Sequence, residues 1–556
     1  MKKSISIVVI FAVALIFSQS IFAQEIFDAI RSSNLAKVKE LVEKDPQMVN
    51  ARNARRSTPL HIAADLDHVD MARYFIKKGA DVNAINGDRK APLFYARQVD
   101  MAELLVEKGA DINLEAYNKN TAVVWSLFYK RREVAEYLLE KGARLPDPGA
   151  ELYLQCLINS LKSGSTKYLE HYIRSGFNPY DESEAKSNLL HYASESQSSE
   201  LISKLISLRV PVDEANIFGL TPLHIAALNG NLEVAKRLVR KGAARDLRTN
   251  NGKTAYNLAV ESQKDGVAEY LKSVGADQGP QRYPVLTGEY AGQPKPGVKA
   301  VPFAPGIVTD QESNGHGAMT ITPDGNEMYW SDQNRSTGRI VIKRIKRINE
   351  RWGMPEIFKT GYDVPFISPV GNKMYFTQWR VPTKWGVKTI IGSMERTASG
   401  WSEPTALPDI INAVPNIHWQ VSVDNKGNIY FADFGSPTVD PRIYSSEYKN
   451  GEYGTPKLIE TLKDVRAYSP YIAPDGSYLI ISNQQEGLTI LFRKKDGSWT
   501  QETILADHLG KTGWCPMVTP DGKYLFFIAA LDGMNRPYWA DAGFIEDLRK
   551  KELQKN

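Results

Sequence analysis

The chain has 556 residues, more than one hydrophobic core supports, so two or more domains are expected. Its 69 Lys and Arg against 64 Asp and Glu leave a formal charge of +5, dispersed along the sequence, and two of those charges are Lys2 and Lys3. So weak a balance excludes a binder that works by clustered phosphate neutralisation, and having only Cys156 and Cys515 excludes a disulfide framework or cysteine-built zinc site.

Met1-Lys2-Lys3, the apolar run from Ile5 to Phe17 and Ile21-Phe22-Ala23 before Gln24 are the three parts of a secretory signal. Residues 1–23 are therefore expected to be removed and the protein exported, periplasmic or secreted. No later apolar run approaches the roughly 20 residues that cross a bilayer, so no membrane span is expected after cleavage.

From Thr58 onward a hexad recurs: TPLHIA (Thr58–Ala63), APLFYA (Ala91–Ala96), TAVVWS (Thr121–Ser126), NLLHYA (Asn188–Ala193), TPLHIA (Thr221–Ala226) and TAYNLA (Thr254–Ala259). The starts lie 33, 30, 67, 33 and 33 residues apart, and the 67 conceals a degenerate copy near Leu154. The 30 is read as three residues lost from the turn between the two helices of the second copy. A second phrase runs in phase, as KKGADVN from Lys77 and EKGADIN from Glu107. Thr suits an N-cap, Pro the first helical position, and Gly the left-handed residue that closes a helix.

These residues resemble the ankyrin repeat over 24–280, and about eight units are expected, with 25–42 as a capping helix pair. The resemblance implies a protein partner held on the β-turn tips and first helices of a concave face. The candidate tip contacts are Arg55, Arg56, Asp88, Arg89, Lys119, Phe218 and Lys253. His61, His191 and His224 belong to the hexad and are expected to be structural hydrogen-bonding groups.

Residues 281–302 are rich in Pro and Gly, without a period, and read as a linker. A different phrase then recurs: ITPDGNEMYW, ISPVGNKMYF, VDNKGNIYFA, IAPDGSYLII and VTPDGKYLFF. Asp324-Gly325, Asp475-Gly476 and Asp521-Gly522 are tight-turn dipeptides between β-rich runs. A third strand and a Trp-centred phrase follow most copies, giving four strands per unit of about 50 residues.

This phrase resembles the PD40, or TolB-like, group of WD40-like propellers over 303–548, with a charged tail at 549–556. The fold class expected is thus multidomain: an all-α ankyrin solenoid followed by an all-β propeller of five blades, with six as the alternative. The fifth hairpin lacks its outer strand, and 303–309 is expected to supply it and close the ring.

The segments leading into each first strand are expected at the mouth of the central channel. They carry His316, Tyr362, Asp363, Asn416, His418, Arg466, Tyr468 and Trp514, the candidate mouth residues. Members of the group often place a Glu there, and this chain has none. Trp352, Trp401 and Trp499 repeat in register and read as packing. Trp379, Trp385 and Trp419 do not, and are candidate aromatic contacts for a partner or a glycan.

No HExxH, GxSxG, Walker or Rossmann motif is present, and no cofactor, metal or nucleic acid is implied. The reading is an exported two-module interaction protein, the solenoid binding a protein and the propeller a second partner, glycan or small ligand. The alternative is a carbohydrate-active or other hydrolytic propeller with an ankyrin docking arm, which needs two converging carboxylates. Asp363, Glu312 and Asp332 are the acids available at the mouth.

Overall fold

A computed structural model describes residues 24–117, 119–146, 153–174, 183–309, 313–317, 319–334, 337–383, 386–414, 417–433, 440–531 and 533–554. The expected signal segment, 1–23, lies outside the described residues.

The described residues between 24 and 276 form a stack of helix pairs, beginning with a pair at 24–31 and Leu35–Lys44. Thereafter each hexad opens the first helix of a repeat, as in Pro59–Asp65 and Pro222–Asn229, and a second helix returns antiparallel, as in Val69–Lys77 and Leu232–Arg240. The degenerate copy is present as Tyr153–Ser163 and Thr166–Arg174. No single pair buries its apolar faces alone, so stacking creates one core running from Ile26 to Ala276. Cys156 is fully buried in it, and burial pushes its thiol up to about 12, which makes it inert packing.

The three hexad histidines each tie their repeat to the next. His61 Nδ1 accepts the Thr58 amide (3.1 Å), which leaves the ring proton on Nε2 to donate to Lys90 O (2.9 Å) on the following tip. His191 does the same between Asn188 N (3.1 Å) and Leu220 O (2.8 Å), and His224 between Thr221 N (3.1 Å) and Leu247 O (3.0 Å). Burial lowers all three to about 4, so they stay neutral.

The short repeat departs from expectation. Its connecting turn, Ala96 to Gln98, is as long as Leu66 to His68 in the first repeat. The deletion falls instead in the first helix, which shrinks to a 3-10 turn at Pro92–Tyr95. The carbonyls this uncovers are taken up from the next repeat: Arg131 Nη1 donates to Phe94 O (3.2 Å) and Ala96 O (3.1 Å).

The C-terminal region is β-rich and propeller-like. Five antiparallel sheets follow one another among the described residues, with one further two-stranded ribbon. The first sheet is built on Glu327–Asn334 and Ile340–Ile348, the second on Tyr362–Ile367, Lys373–Thr383 and Gly386–Thr397, and the third on Ile417–Val423, Ile429–Asp433 and Arg442–Ser446. The fourth comprises Ala467–Ile472, Tyr478–Asn483, Gly487–Phe492 and Thr503–Ile504. The fifth has Trp514–Val518, Tyr524–Leu531 and Met534–Asp541.

An upstream segment supplies the fifth sheet's outer strand, as expected, but the residues are Val301–Pro302, paired with Trp539 and Tyr538, not 303–309. The stretch read as a linker is likewise laid onto the sheets. Leu286 pairs with Trp352, whose Nε1 donates to Gly288 O (2.7 Å), and Tyr290 packs against Tyr524 and Trp539 with ring centroids 4.9 and 5.7 Å away. Aromatic burial of this kind holds the segment far more firmly than a solvated linker. The fifth sheet also meets the first: Arg536 Nη1 donates to Ser313 O (2.8 Å) and the Asn535 amide to Asn314 Oδ1 (3.0 Å). A terminal helix, Phe544–Gln554, buries Ile545 and Leu548 against this region.

The two regions share a core. Phe218, Leu220 and Leu258 of the repeats belong to the same buried cluster as Phe303, Val308 and Tyr538.

Candidate functional site

In the four first strands from the second sheet on, one residue adopts positive φ: Val364 (45°), Trp419 (57°), Ser469 (49°) and Cys515 (54°). Each lies where the strand register slips against its neighbour, so each is a β-bulge. Left-handed backbone is costly for such residues, and the surrounding bonds offset that cost. Ser331 Oγ accepts the Val364 amide (2.6 Å) and Ser482 Oγ the Cys515 amide (3.0 Å), each from the preceding sheet. Gly317 fills the equivalent place in the first sheet, where a Cβ would lie 3.0 Å from both Val364 methyls. The five residues just before these positions are His316, Asp363, His418, Tyr468 and Trp514, all among the expected mouth residues.

His316 Nδ1 and Asp363 Oδ2 are 2.7 Å apart. Asp363 is fully buried, and its Oδ1 also accepts the Val364 amide (2.9 Å). Burial opposes charge on His316, but the hydrogen bond and the pull of the Asp363 carboxylate outweigh it and raise its pKa above the usual histidine value. The Trp379 ring stands edge-on to His316 (5.7 Å), and Trp419 meets Tyr468 (5.0 Å).

Gln420, which the sequence reading passed over, is buried beneath this end. Its Nε2 donates to Pro516 O (2.5 Å) and Pro470 O (3.4 Å), bridging three sheets, and among the described residues no donor reaches its Oε1. Below it Met319, Phe366, Val421, Tyr471 and Met517 are all buried. A cavity of about 200 Å³ lies on the far side of these residues, at the hairpin-turn end, lined by Pro369, Asn425, Pro474 and Pro520.

Other expected mouth residues are placed elsewhere. Tyr362 turns into the packing between the first two sheets, its ring 4.9 Å from Phe376, because alternation along the strand points it away from Asp363. Arg466 is exposed and paired with Asp440 (2.8 Å), whereas Trp514, though it holds the fifth bulge position, is half-buried against the sheet core. Trp379 and Trp419 are also half-buried. Asn416, Trp385, Glu312 and the His418 side chain lie outside the described residues. Asp332 is buried and ion-paired with Lys343. Among the described residues no group of three or more His, Cys, Asp or Glu is arranged to hold a metal, and no helix is long and apolar enough to cross a membrane.

The repeat tips divide into two sets. The amide of one tip donates to the carbonyl of the preceding tip, from Gly87 to Arg55 O (2.9 Å) through Asn250 to Phe218 O (3.1 Å) and Arg282 to Gly252 O (3.0 Å). Towards the C-terminal end these tips are covered. Phe218 is 7% exposed, with the Arg536 guanidinium 5.2 Å from its ring centroid and the Gly306 backbone against it. It is therefore an intramolecular contact, and not a free tip residue. Lys253 is drawn into the same junction, paired with Glu261 and lining a cavity of about 90 Å³ with Phe218 and Gly306. Glu184 bonds to Lys511 and Tyr538, and Asn250 Nδ2 donates to Pro305 O (2.9 Å). Arg55, Arg56, Asp88, Arg89 and Lys119 remain exposed.

Residues 26–116 and 162–282 each match the family model described as ankyrin repeats (3 copies). The N-terminal region is accordingly a stack of ankyrin repeats, a fold that serves protein–protein interaction. The chain is 50% identical over 56 residues to alpha-latrocrustotoxin-Lt1a of Latrodectus tredecimguttatus, covering 10% of this chain and 4% of that protein. It is 28% identical over 231 residues to human transient receptor potential cation channel subfamily A member 1, covering 38% and 20%, respectively. Against mouse protein phosphatase 1 regulatory subunit 27 it is 39% identical over 80 residues, covering 14% of this chain and 52% of that protein. The crystal structure of the human ASB11 ankyrin repeat domain aligns over 40% of this chain and all of its own, at 27% identity and a TM-score of 0.31. The chain thus spans from one twenty-fifth to about half the length of these curated relatives.

Proposed function

We propose that this is an exported two-module interaction protein whose ankyrin repeats hold a protein partner and whose C-terminal half is a closed, five-bladed PD40/TolB-like propeller that receives a second partner or small ligand. One observation carries the reading: the later repeat tips are spent on the sheets, while the tips of the first three repeats face solvent. An array that docks one end on its own chain and leaves the other open is a presenting arm. Joining two binding modules on one rigid body raises their effective concentration for each other's partners. Support for a ligand at the propeller mouth comes from the His316–Asp363 pair, with the buried Gln420 amide beneath it.

The carbohydrate-active alternative has the His316–Asp363 pair and the neighbouring Trp379 in its favour. It needs a second free carboxylate, and Asp332 is neutralised by Lys343. Affinity capture of the exported protein from its native envelope, comparing wild type with charge-reversed Arg55, Arg56 and Arg89, tests the interaction reading. Recovery of the same stoichiometric partner by both forms, or of none, would count against it. Turnover of a glycan that is lost in Asp363→Asn would favour the alternative.

A further inference from the structure

The geometry points to an acidic, extended polypeptide segment as the occupant of the first three repeats, an inference that rests on reading those repeats as the partner-binding arm. Corresponding residues of successive tips take a left-handed backbone conformation: Arg56 (φ 58°), Arg89 (58°), Lys119 (57°), Lys186 (54°), Gly219 (74°) and Gly252 (83°). Glycine adopts this conformation without cost, and a long side chain does not. At Gly219 and Gly252 a Cβ would meet the backbone of the next segment, so packing demands glycine there. Where no backbone packs against that position, on the first three tips and at Lys186 of the fifth, the chain instead tolerates the strain and places a basic side chain.

The neighbouring surface is consistent with a peptide partner. Lys90 Nζ lies 3.6 Å from the Trp125 ring centroid, and Trp125 packs on Tyr129 (4.8 Å). Arg89 stands over Tyr117 (5.8 Å), which is 74% exposed. Cations held beside aromatic rings suit a ligand that alternates carboxylates with apolar side chains. Asp88, which pairs with Lys90 (3.8 Å), and Glu115 are the exposed acids on these tips, against the exposed Arg55, Arg56, Arg89 and Lys119.

The test uses the full chain and three fluorescent probe peptides of one length: alternating Glu and Leu, Gln and Leu, and Lys and Leu. Anisotropy should show the Glu peptide binding most tightly, with affinity falling as salt rises. The triple variant Arg56→Gly, Arg89→Gly, Lys119→Gly should weaken that binding by about tenfold while raising the melting temperature, because glycine relieves the left-handed strain. Lys78→Ala, Lys108→Ala, Lys141→Ala, with the same change in net charge at the ends of the second helices, should leave binding intact. Equal binding of the Glu peptide by both triple variants, or failure to bind it, overturns the proposal. If the Gln peptide binds as well as the Glu peptide, the acidic partner is wrong but the arm still binds protein. If a heparin fragment alone binds, the peptide proposal falls in favour of a polysaccharide.

Discussion

Glu184, on the tip of the fifth repeat, accepts hydrogen bonds from Lys511 Nζ (2.6 Å) and the Tyr538 hydroxyl (2.9 Å) across more than 300 residues of chain. Lys511 also lies over the Tyr538 ring, 4.7 Å from its centroid. This contact and the Phe218 seat make the two regions one body. Glu184→Gln should cost about 1 kcal/mol or less, since the carboxylate is half exposed. Phe218→Ala should cost about 3 kcal/mol and loosen the junction, because it empties a buried aromatic site. Small-angle scattering should show the second variant more extended, and calorimetry should split one transition into two. Unchanged scattering would refute the rigid junction.

The buried hexad histidines impose an acid limit on the repeats. Their folded pKa of about 4 lies below the unfolded value of 6.5, so protonation is taken up by the unfolded chain first. Their contribution is complete above pH 6.5 and declines as pH falls towards 4, at about 1.4 kcal/mol per pH unit for each histidine. Urea titrations at pH 7 and pH 5 should therefore show lower stability at pH 5. A His224→Gln variant should have a shallower dependence.

His316 has the opposite sign. Its folded pKa is raised, so the pairing with Asp363 stabilises below the unfolded value and is lost as pH rises through the folded one. Removing the carboxylate in Asp363→Asn should bring the imidazole pKa down, since burial then acts unopposed. Proton NMR of the His316 ring, followed across pH 5 to 9, reads this directly. An unmoved titration would show that Asp363 does not control the ring.

At Gly252 an added Cβ would sit 1.8 Å from Arg282 O, where the chain leaves the last repeat. Gly252→Ala should destabilise by on the order of 3 kcal/mol, combining left-handed strain with displacement of the 281–302 segment. Limited proteolysis should then cut within that segment, whereas wild type resists.

Arg131 should behave as a cap despite lying in the repeat after the one it serves. Arg131→Ala leaves the carbonyls of Phe94 and Ala96 without that donor and should cost about 1 to 3 kcal/mol. Hydrogen exchange should quicken in the second and third repeats.

Much of this architecture was legible in local pattern. TPLH specifies an N-cap, a first-turn proline and a buried ring within four residues, and Asp-Gly turns specify hairpins, because both depend on neighbours a few positions away. His316 and Asp363 were also visible as polar residues entering successive strands, but the contact that joins them was not. Gln420 was not: its role is to reach carbonyls 50 and 96 residues distant, and a glutamine in an apolar strand carries no local mark of that. Tyr362 and Asp363 were read as equivalents, and a one-residue alternation turned one to His316 and the other into the sheet packing.

Sequence by itself determined the repeat units, their turns and their order, since each arises from interactions within a few tens of residues. Only the tertiary structure decided which tips are open and which are consumed. Phe218 and Arg56 occupy comparable tips, yet one is buried because the fifth sheet arrives over it. That outcome depends on the shape of a surface encoded some 300 residues away, which no local periodicity can express.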